Sequence, residues 1–306
     1  MEYKVAANTE NAVYSLQYYR NNLRHMVCFC KERNAFHVLL PNGTVDSPYK
    51  NVRGWTGIRR IASNGNLIVG VKSNGRVVCA AAAAAPLTGM DINEISSWTD
   101  IKDVFIGKEY AVGLKNDGTL TATCDSMNNL KIYTSMWGGL SSITGSDNLP
   151  YAVMSNGRVV SEVSRDTFAK WLDVKMLYSC GNDGILAILN NGSVNKCGEN
   201  ISYTVESWNN LYNAAVNDKF VLGLKRDGSL ICTSDQKHGI DLDIFKDCVA
   251  VASEKSYRID NDFLSYVAAL FPDGTLKIFQ YRTWWNKIMG SGKSHKNINT
   301  LTYKLF

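Results

Sequence analysis

Proline is scarce in this chain, 5 in 306 residues, and histidine scarcer still at 4. The first excludes a polyproline or collagen-like polymer, and the second leaves little material for metal clusters. One-sided charge is missing too: 33 Lys and Arg against 28 Asp and Glu give +5. That is too mild to demand nucleic acid or an anionic membrane as partner. No apolar run approaches the roughly 18 residues a membrane-spanning helix needs. The opening residues, Met1 to Asn8, lack the basic-then-apolar order of an export signal. Eight cysteines over this length do not make a disulfide scaffold. A reduced, cytoplasmic protein is expected.

The cysteines also read as structural. Cys79, Cys124, Cys197 and Cys232 fall in similar apolar segments, where a free thiol behaves as a small hydrophobe. Cys28 and Cys30 share a face of a strand, but no second pair at ligand spacing accompanies them. No metal and no cofactor is expected.

What the chain does have is a repeat. Asn-Gly or Asp-Gly, followed by Thr, Ser or Arg and then an aliphatic residue, occurs seven times. The glycines are Gly43, Gly75, Gly118, Gly157, Gly192, Gly228 and Gly274, spaced by 32, 43, 39, 35, 36 and 46 residues. Four residues before each stands an aliphatic side chain, from Leu39 to Leu270, and five before a glycine or alanine in six of the seven. Asn-Gly and Asp-Gly suit two-residue hairpin turns, whose central positions need positive φ. The flanking runs, such as Leu67–Lys72, are β-branched, short and almost continuously apolar, which implies strands covered on both faces.

A second marker precedes the turns. Trp55, Trp98, Trp137 and Trp208 lie 20 residues before a turn glycine, and Trp171 lies 21 before. Aliphatic or small residues follow at +3 (Ile58, Ile101, Leu140, Val174, Leu211) and +6 (Ile61, Val104, Ile143, Leu177, Ala214). Units near 37 residues without a strongly helical stretch each hold about four short strands, as a propeller blade does. The expectation is one all-β domain over residues 1–306: a seven-bladed β-propeller, with tryptophan wedged between blades.

At these residues the chain resembles the regulator-of-chromosome-condensation repeat family, above all its short prokaryotic form. The strings are Val69–Gly75, Val112–Leu120, Leu222–Leu230 and the lead-in Trp98–Val104. The resemblance covers roughly residues 20–280. It implies the propeller and a binding role; members act as exchange factors, chromatin binders and protein inhibitors. The Gly-Asp-Asn…Gly-Gln segment usual to the family is eroded: six alanines follow Cys79, and Cys197–Asn200 is the nearest survivor. The resemblance also implies a ring closed by pairing the two ends of the chain, with Asn11–Leu16 as the N-terminal strand and Leu301–Phe306 as a competitor.

Chemistry is thinly spread. His25, His37, His238 and His295 fall in different units. Gly290–Ser294 imitates a phosphate loop, but Lys287 stands where that motif needs glycine. Asp103, Asp173 and Asp247 would have to converge for a hydrolase or lyase acting on carbohydrate or cell-wall material; their common phase favours a turn role. The basic, aromatic segment Tyr281, Arg282, Trp284, Trp285 departs from the repeat, and Tyr133, Phe168 and Tyr203 occupy comparable connections. Aromatics on one rim would form a contact face. The expected function is therefore a monomeric, non-enzymatic module that binds a macromolecule, a protein before nucleic acid, through these loops. An enzyme inhibitor is a further alternative.

Overall fold

The computed structural model describes residues 2–3, 14–82, 90–124, 130–162, 165–179, 184–198, 205–217, 219–233, 240–254, 257–259, 262–284 and 294–306. Among them the strands form seven sheets. Sheet 1 holds Val27–Cys30, Ala35–Leu39 and Val45–Asp46, and sheet 2 holds Ile58–Ser63, Leu67–Lys72 and Val77–Ala81. Sheet 3 runs Ile101–Ile106, Tyr110–Lys115 and Leu120–Cys124, and sheet 4 Leu140–Gly145, Pro150–Met154 and Val159–Ser161. Sheet 5 has Val174–Ser179, Ile185–Leu189 and Val194–Cys197, and sheet 6 Leu211–Val216, Val221–Lys225 and Leu230–Cys232. Each is antiparallel in chain order. Opening strands of sheets 1 to 5 touch in succession, as do those of sheets 6 and 7, so they line a common axis. The architecture is all-β, a propeller of about seven blades.

Sheet 7 is larger. Ala250–Ala252, Asp262–Leu270, Thr275–Trp284 and Ser294–Lys304 follow in order, Tyr257–Ile259 adds to the second, and Glu2–Tyr3 pairs in parallel with Thr302 and Tyr303. The N-terminal segment thus meets the C-terminal strand at Glu2–Tyr3. Within the expected strand Asn11–Leu16, residues 11–13 lie outside the described residues, and Ser15 caps a helix, α1 (Leu16–Asn22), through its hydroxyl. Sheets 7 and 1 also pack together: the Tyr266 hydroxyl donates to the Val27 carbonyl at 3.3 Å, and Phe36 meets the Tyr266 ring edge-on.

The turns differ from the expected two-residue hairpin. Of each Asn/Asp-Gly pair only the glycine has positive φ, between 76° and 85° in all seven. Its amide donates to the carbonyl three residues back, as Gly75 does to Lys72 at 2.9 Å, while the Lys72 amide donates to Arg76. This is a type I turn followed by a left-handed residue, the three-residue hairpin loop. The residue before glycine serves through its side chain: Asn74 Oδ1 accepts from the Arg76 amide at 3.0 Å, and Asn42, Asp117, Asn156, Asn191, Asp227 and Asp273 do likewise.

Six sheets have three strands rather than about four. The length left over forms short helices, α2 (Ile92–Ser97), α3 (Leu130–Ser135) and α4 (Arg165–Ala169), and a 3₁₀ turn at Leu242–Phe245. The three helices pack on the third strands of sheets 2, 3 and 4 and cover edges that would otherwise stay bare. Each delivers the chain to its seam aromatic.

Those aromatics are wedges. Trp98 shares one apolar cluster with Leu67, Val69 and Val71 of sheet 2 and Ile101 and Val104 of sheet 3. Trp171 does the same for sheets 4 and 5, and Trp208 for sheets 5 and 6. The small residue five before the turn accommodates the indole: a Cβ on Gly70, Gly113 or Gly223 would stand 2.8, 2.9 or 3.1 Å from Trp55, Trp98 or Trp208. The seam is closed by a hydrogen bond from the first amide of the next sheet to the turn glycine carbonyl, as Ile101 to Gly75 at 3.0 Å. At Gly274 the donor is Leu305, from the chain's own tail.

Candidate binding site at the channel mouth

A strand turns successive side chains to opposite faces, so the aliphatic pair spaced by three (Ile58 and Ile61) would straddle the sheet. A bulge resolves this. Register shifts between Ile58 and Arg60, Ile101 and Asp103, Leu140 and Ser142, Val174 and Met176, and Leu211 and Asn213. Two residues on the opening strand then oppose one on its partner. Both aliphatics return to the seam, and the two residues between them turn to the axis. Those pairs are Arg59–Arg60, Lys102–Asp103, Ser141–Ser142, Lys175–Met176 and Tyr212–Asn213, with Arg24–His25 entering from the 3₁₀ turn Leu23–His25.

Most of them line one cavity of about 390 Å³ at the turn end of the axis, beside Arg20, Asn21 and Asn22 of α1. The helix is tied across this mouth. Tyr212 donates its hydroxyl to Asn21 Oδ1 at 2.8 Å, Arg60 donates to Asn22 Oδ1 at 3.1 Å, and Tyr18 donates to the Arg59 carbonyl at 2.9 Å. Arg24 is a crossbar: it donates to the Leu177 carbonyl at 2.8 Å and lies 5.7 Å from the Tyr178 ring. Beyond it a smaller cavity of about 120 Å³ faces Asp147, Glu254 and Tyr257.

At the centre of the mouth, Asp103 is 3% exposed. Its Oδ2 takes Arg60 Nη1 at 2.8 Å, and its Oδ1 faces His25 Nδ1 at 3.5 Å and accepts the Val104 amide at 2.9 Å. Burial alone would push this carboxyl up; Arg60, with help from His25, outweighs it and holds it below the usual carboxylate range. Burial pushes His25 well below its ordinary value despite Asp103, so the ring is neutral at pH 7. Its Nε2 accepts from Arg24 Nε at 2.9 Å, which leaves no free ring nitrogen to move a substrate's proton. Asp173 and Asp247 do not join Asp103. They hold the left-handed position before the opening strands, with φ of 63° and 67°, and Asp173 is bonded to Asn190 at 3.1 Å.

The expected contact aromatics fare differently. Phe168 is 4% exposed, packed edge-on against Tyr151 and Trp171. Tyr281 is fully buried beside Phe220. Both are core residues, because the connections they occupy fold back as α4 and as the lengthened third strand of sheet 7. Tyr133 is half-buried on α3. Tyr203 and Trp285 lie outside the described residues, as do the side chains of Arg282 and Trp284, whose backbone belongs to Thr275–Trp284. Of Gly290–Ser294 only Ser294 is described, in a strand. Cys28 and Cys30 are buried, and burial raises both thiols, which makes them poor nucleophiles. Of the mouth residues the sequence singled out Asp103; the others carry a signal in the two-residue gap between aliphatics inside the opening strands, which marks a bulge.

No family model and no curated protein matches the chain. Solved structures share its fold. The ectodomain of the receptor kinase CR4 from Physcomitrella patens superposes with a TM-score of 0.57 at 11% identity, over 88% of this chain and 77% of that one. Yeast RCC1 (Prp20) bound to Kap60 gives 0.38 at 12% identity, over 73% and 56%. Prp20p from Saccharomyces cerevisiae gives 0.37 at 12%, over 81% and 63%. The first is a likeness of fold alone, and the other two are too loose to speak about sites.

Proposed function

We propose, from the premise that this chain is a propeller of the regulator-of-chromosome-condensation type, that it is a non-enzymatic module that binds a protein at the channel mouth. Its seven sheets form one closed ring over the whole chain, acting as a monomer in a reducing, cytoplasmic setting. One observation carries the reading. The columns of the repeat that build seams are nearly the same across the units, while the second of the two facing the axis differs in each of six: His25, Arg60, Asp103, Ser142, Met176 and Asn213. Variation on a fixed scaffold is how rigid folds present specificity. Against a hydrolase, the Asp103–His25 pair at the mouth is engaged by Arg60 and Arg24.

The test is affinity capture with the intact protein, followed by calorimetry on the partner recovered. A saturable one-to-one complex without chemical change in either component is expected. Turnover of an oligosaccharide or cell-wall fragment by the purified chain, lost in Asp103→Asn, would replace this reading with the hydrolase.

A further inference from the structure

The cavity at the mouth is lined by four cations, Arg20, Arg24, Arg60 and Lys175, and one carboxylate, Asp103. Asp103 is engaged by Arg60 and His25, and Arg24 by the channel wall. Arg20 and Lys175 remain. Both sit over the Tyr212 ring, the guanidinium carbon at 4.8 Å and the ammonium nitrogen at 5.0 Å from its centre. Arg226 stands near enough to act on Lys175, whose pKa is lowered by burial and then by that like charge. Arg226 itself donates to the Asn190 carbonyl at 2.5 Å. Among the described residues no carboxylate pairs with Arg20, Lys175 or Arg226. Three cations gathered without an anion repel one another, and a bound anion relieves that.

A second observation is independent of charge. Two buried polar atoms of this wall have no hydrogen-bond partner among the described residues: Arg20 Nε, a donor, and Asn213 Oδ1, an acceptor. Asn213 is 8% exposed and is fixed by its Nδ2, which donates to the Val251 carbonyl at 2.9 Å. Buried groups of this kind want partners.

We propose that this corner of the mouth binds an acidic peptide segment of a partner protein, its carboxylates on Arg20, Lys175 and Arg226 and a backbone N–H on Asn213 Oδ1. The inference rests on the protein-binding reading above and supplies the chemistry of the partner. A peptide offers both an acceptor and a donor, which the orphaned pair requires; a phosphodiester backbone offers acceptors alone. Arg20 and Lys175 also face one cavity, with Arg226 beside Lys175, instead of following a groove as a nucleic-acid backbone would need. The Tyr212 face on which a base would stack is occupied by Arg20 and Lys175.

The experiment titrates the full chain with labelled octaglutamate, and in parallel with octaglutamine, an eight-residue oligothymidylate and inorganic phosphate, at low and moderate salt. Octaglutamate should bind tightest and weaken on the order of tenfold as salt screens the contact. The double variant Lys175→Glu, Arg226→Glu alters two exposed side chains and should retain the wild-type melting temperature. It should lose octaglutamate binding by about 100-fold, roughly tenfold per charge contact. Lys31→Glu with Lys108→Glu, an equal charge change at the far end of the axis, should shift binding less than about 3-fold. Octaglutamate binding no tighter than octaglutamine, or surviving in the double variant, would overturn the proposal. Tighter binding of oligothymidylate or phosphate would reassign the site to phosphate. A captured partner held equally by wild type and double variant would leave the protein-binding reading standing and remove this site; no saturable partner for either would remove the reading itself.

Discussion

The seams and the channel are built from the same strands yet obey different rules. In the seams sheets 2 to 6 repeat one solution: an indole, a small residue five before the turn glycine, and two aliphatics brought to one side by a bulge. In the channel the residues that the bulge turns inward range from Arg60 and Asp103 to Ser142 and Met176. The seam fixes where a side chain stands; the channel position decides which side chain stands there.

Damage to a seam should therefore cost stability, and damage to the channel should cost less of it. Trp98→Ala opens a hole between sheets 2 and 3 around a side chain that is 7% exposed. A loss of about 3–5 kcal/mol is expected in denaturant titration. A change below 1 kcal/mol would mean that the indole is not a wedge.

Within the channel, Asp103→Ala strands Arg60 and His25 in a buried setting, at about 3 kcal/mol. Adding Arg60→Met should restore much of that stability, since the uncompensated charge is then gone. If the double variant is as unstable as the sum of the single changes, the pair does not act as a unit.

The last effect is on pH, small just below neutrality and growing as pH falls. His25 and His37 are both buried, His37 against Ser47 Oγ at 2.8 Å, and burial pushes His37 down to about 3. With folded values below the unfolded one near 6.5, the unfolded chain takes up protons first. Stability is thus present above about pH 6.5 and declines as pH falls, at about 1.4 kcal/mol per pH unit for each histidine. Asp103, whose folded value is depressed, adds to the loss below about pH 4. His37→Gln should remove one share of the slope; an unchanged slope would show that His37 takes up its proton in the folded state.

Much of this was legible in the sequence. The seven turn glycines, the indole column and the small residue facing it are local and repeated, so each unit vouches for the others. The turn type was misjudged because Asn-Gly serves two hairpin geometries, and only the hydrogen bond from the glycine amide separates them. Phe168 and Tyr281 were expected at a rim because they leave the repeat. An aromatic outside the pattern is as useful for sealing an irregular part of the core as for meeting a partner. α1 was hidden by a β-like composition ahead of its Ser15 cap. The channel site was hidden by the bulge, which a strict alternation cannot express. Its trace is the three-residue spacing of Ile58 and Ile61.

The central claim is that the inward-facing pairs at the channel mouth, not the outer connections, hold the partner. Hydrogen exchange of the protein with and without its captured partner tests this most directly. Protection should concentrate in Leu16–Asn22, Val174–Ser179 and Leu211–Val216, with α2, α3 and α4 unchanged. Protection confined to those three helices, with the mouth strands exchanging as in the free protein, would contradict it.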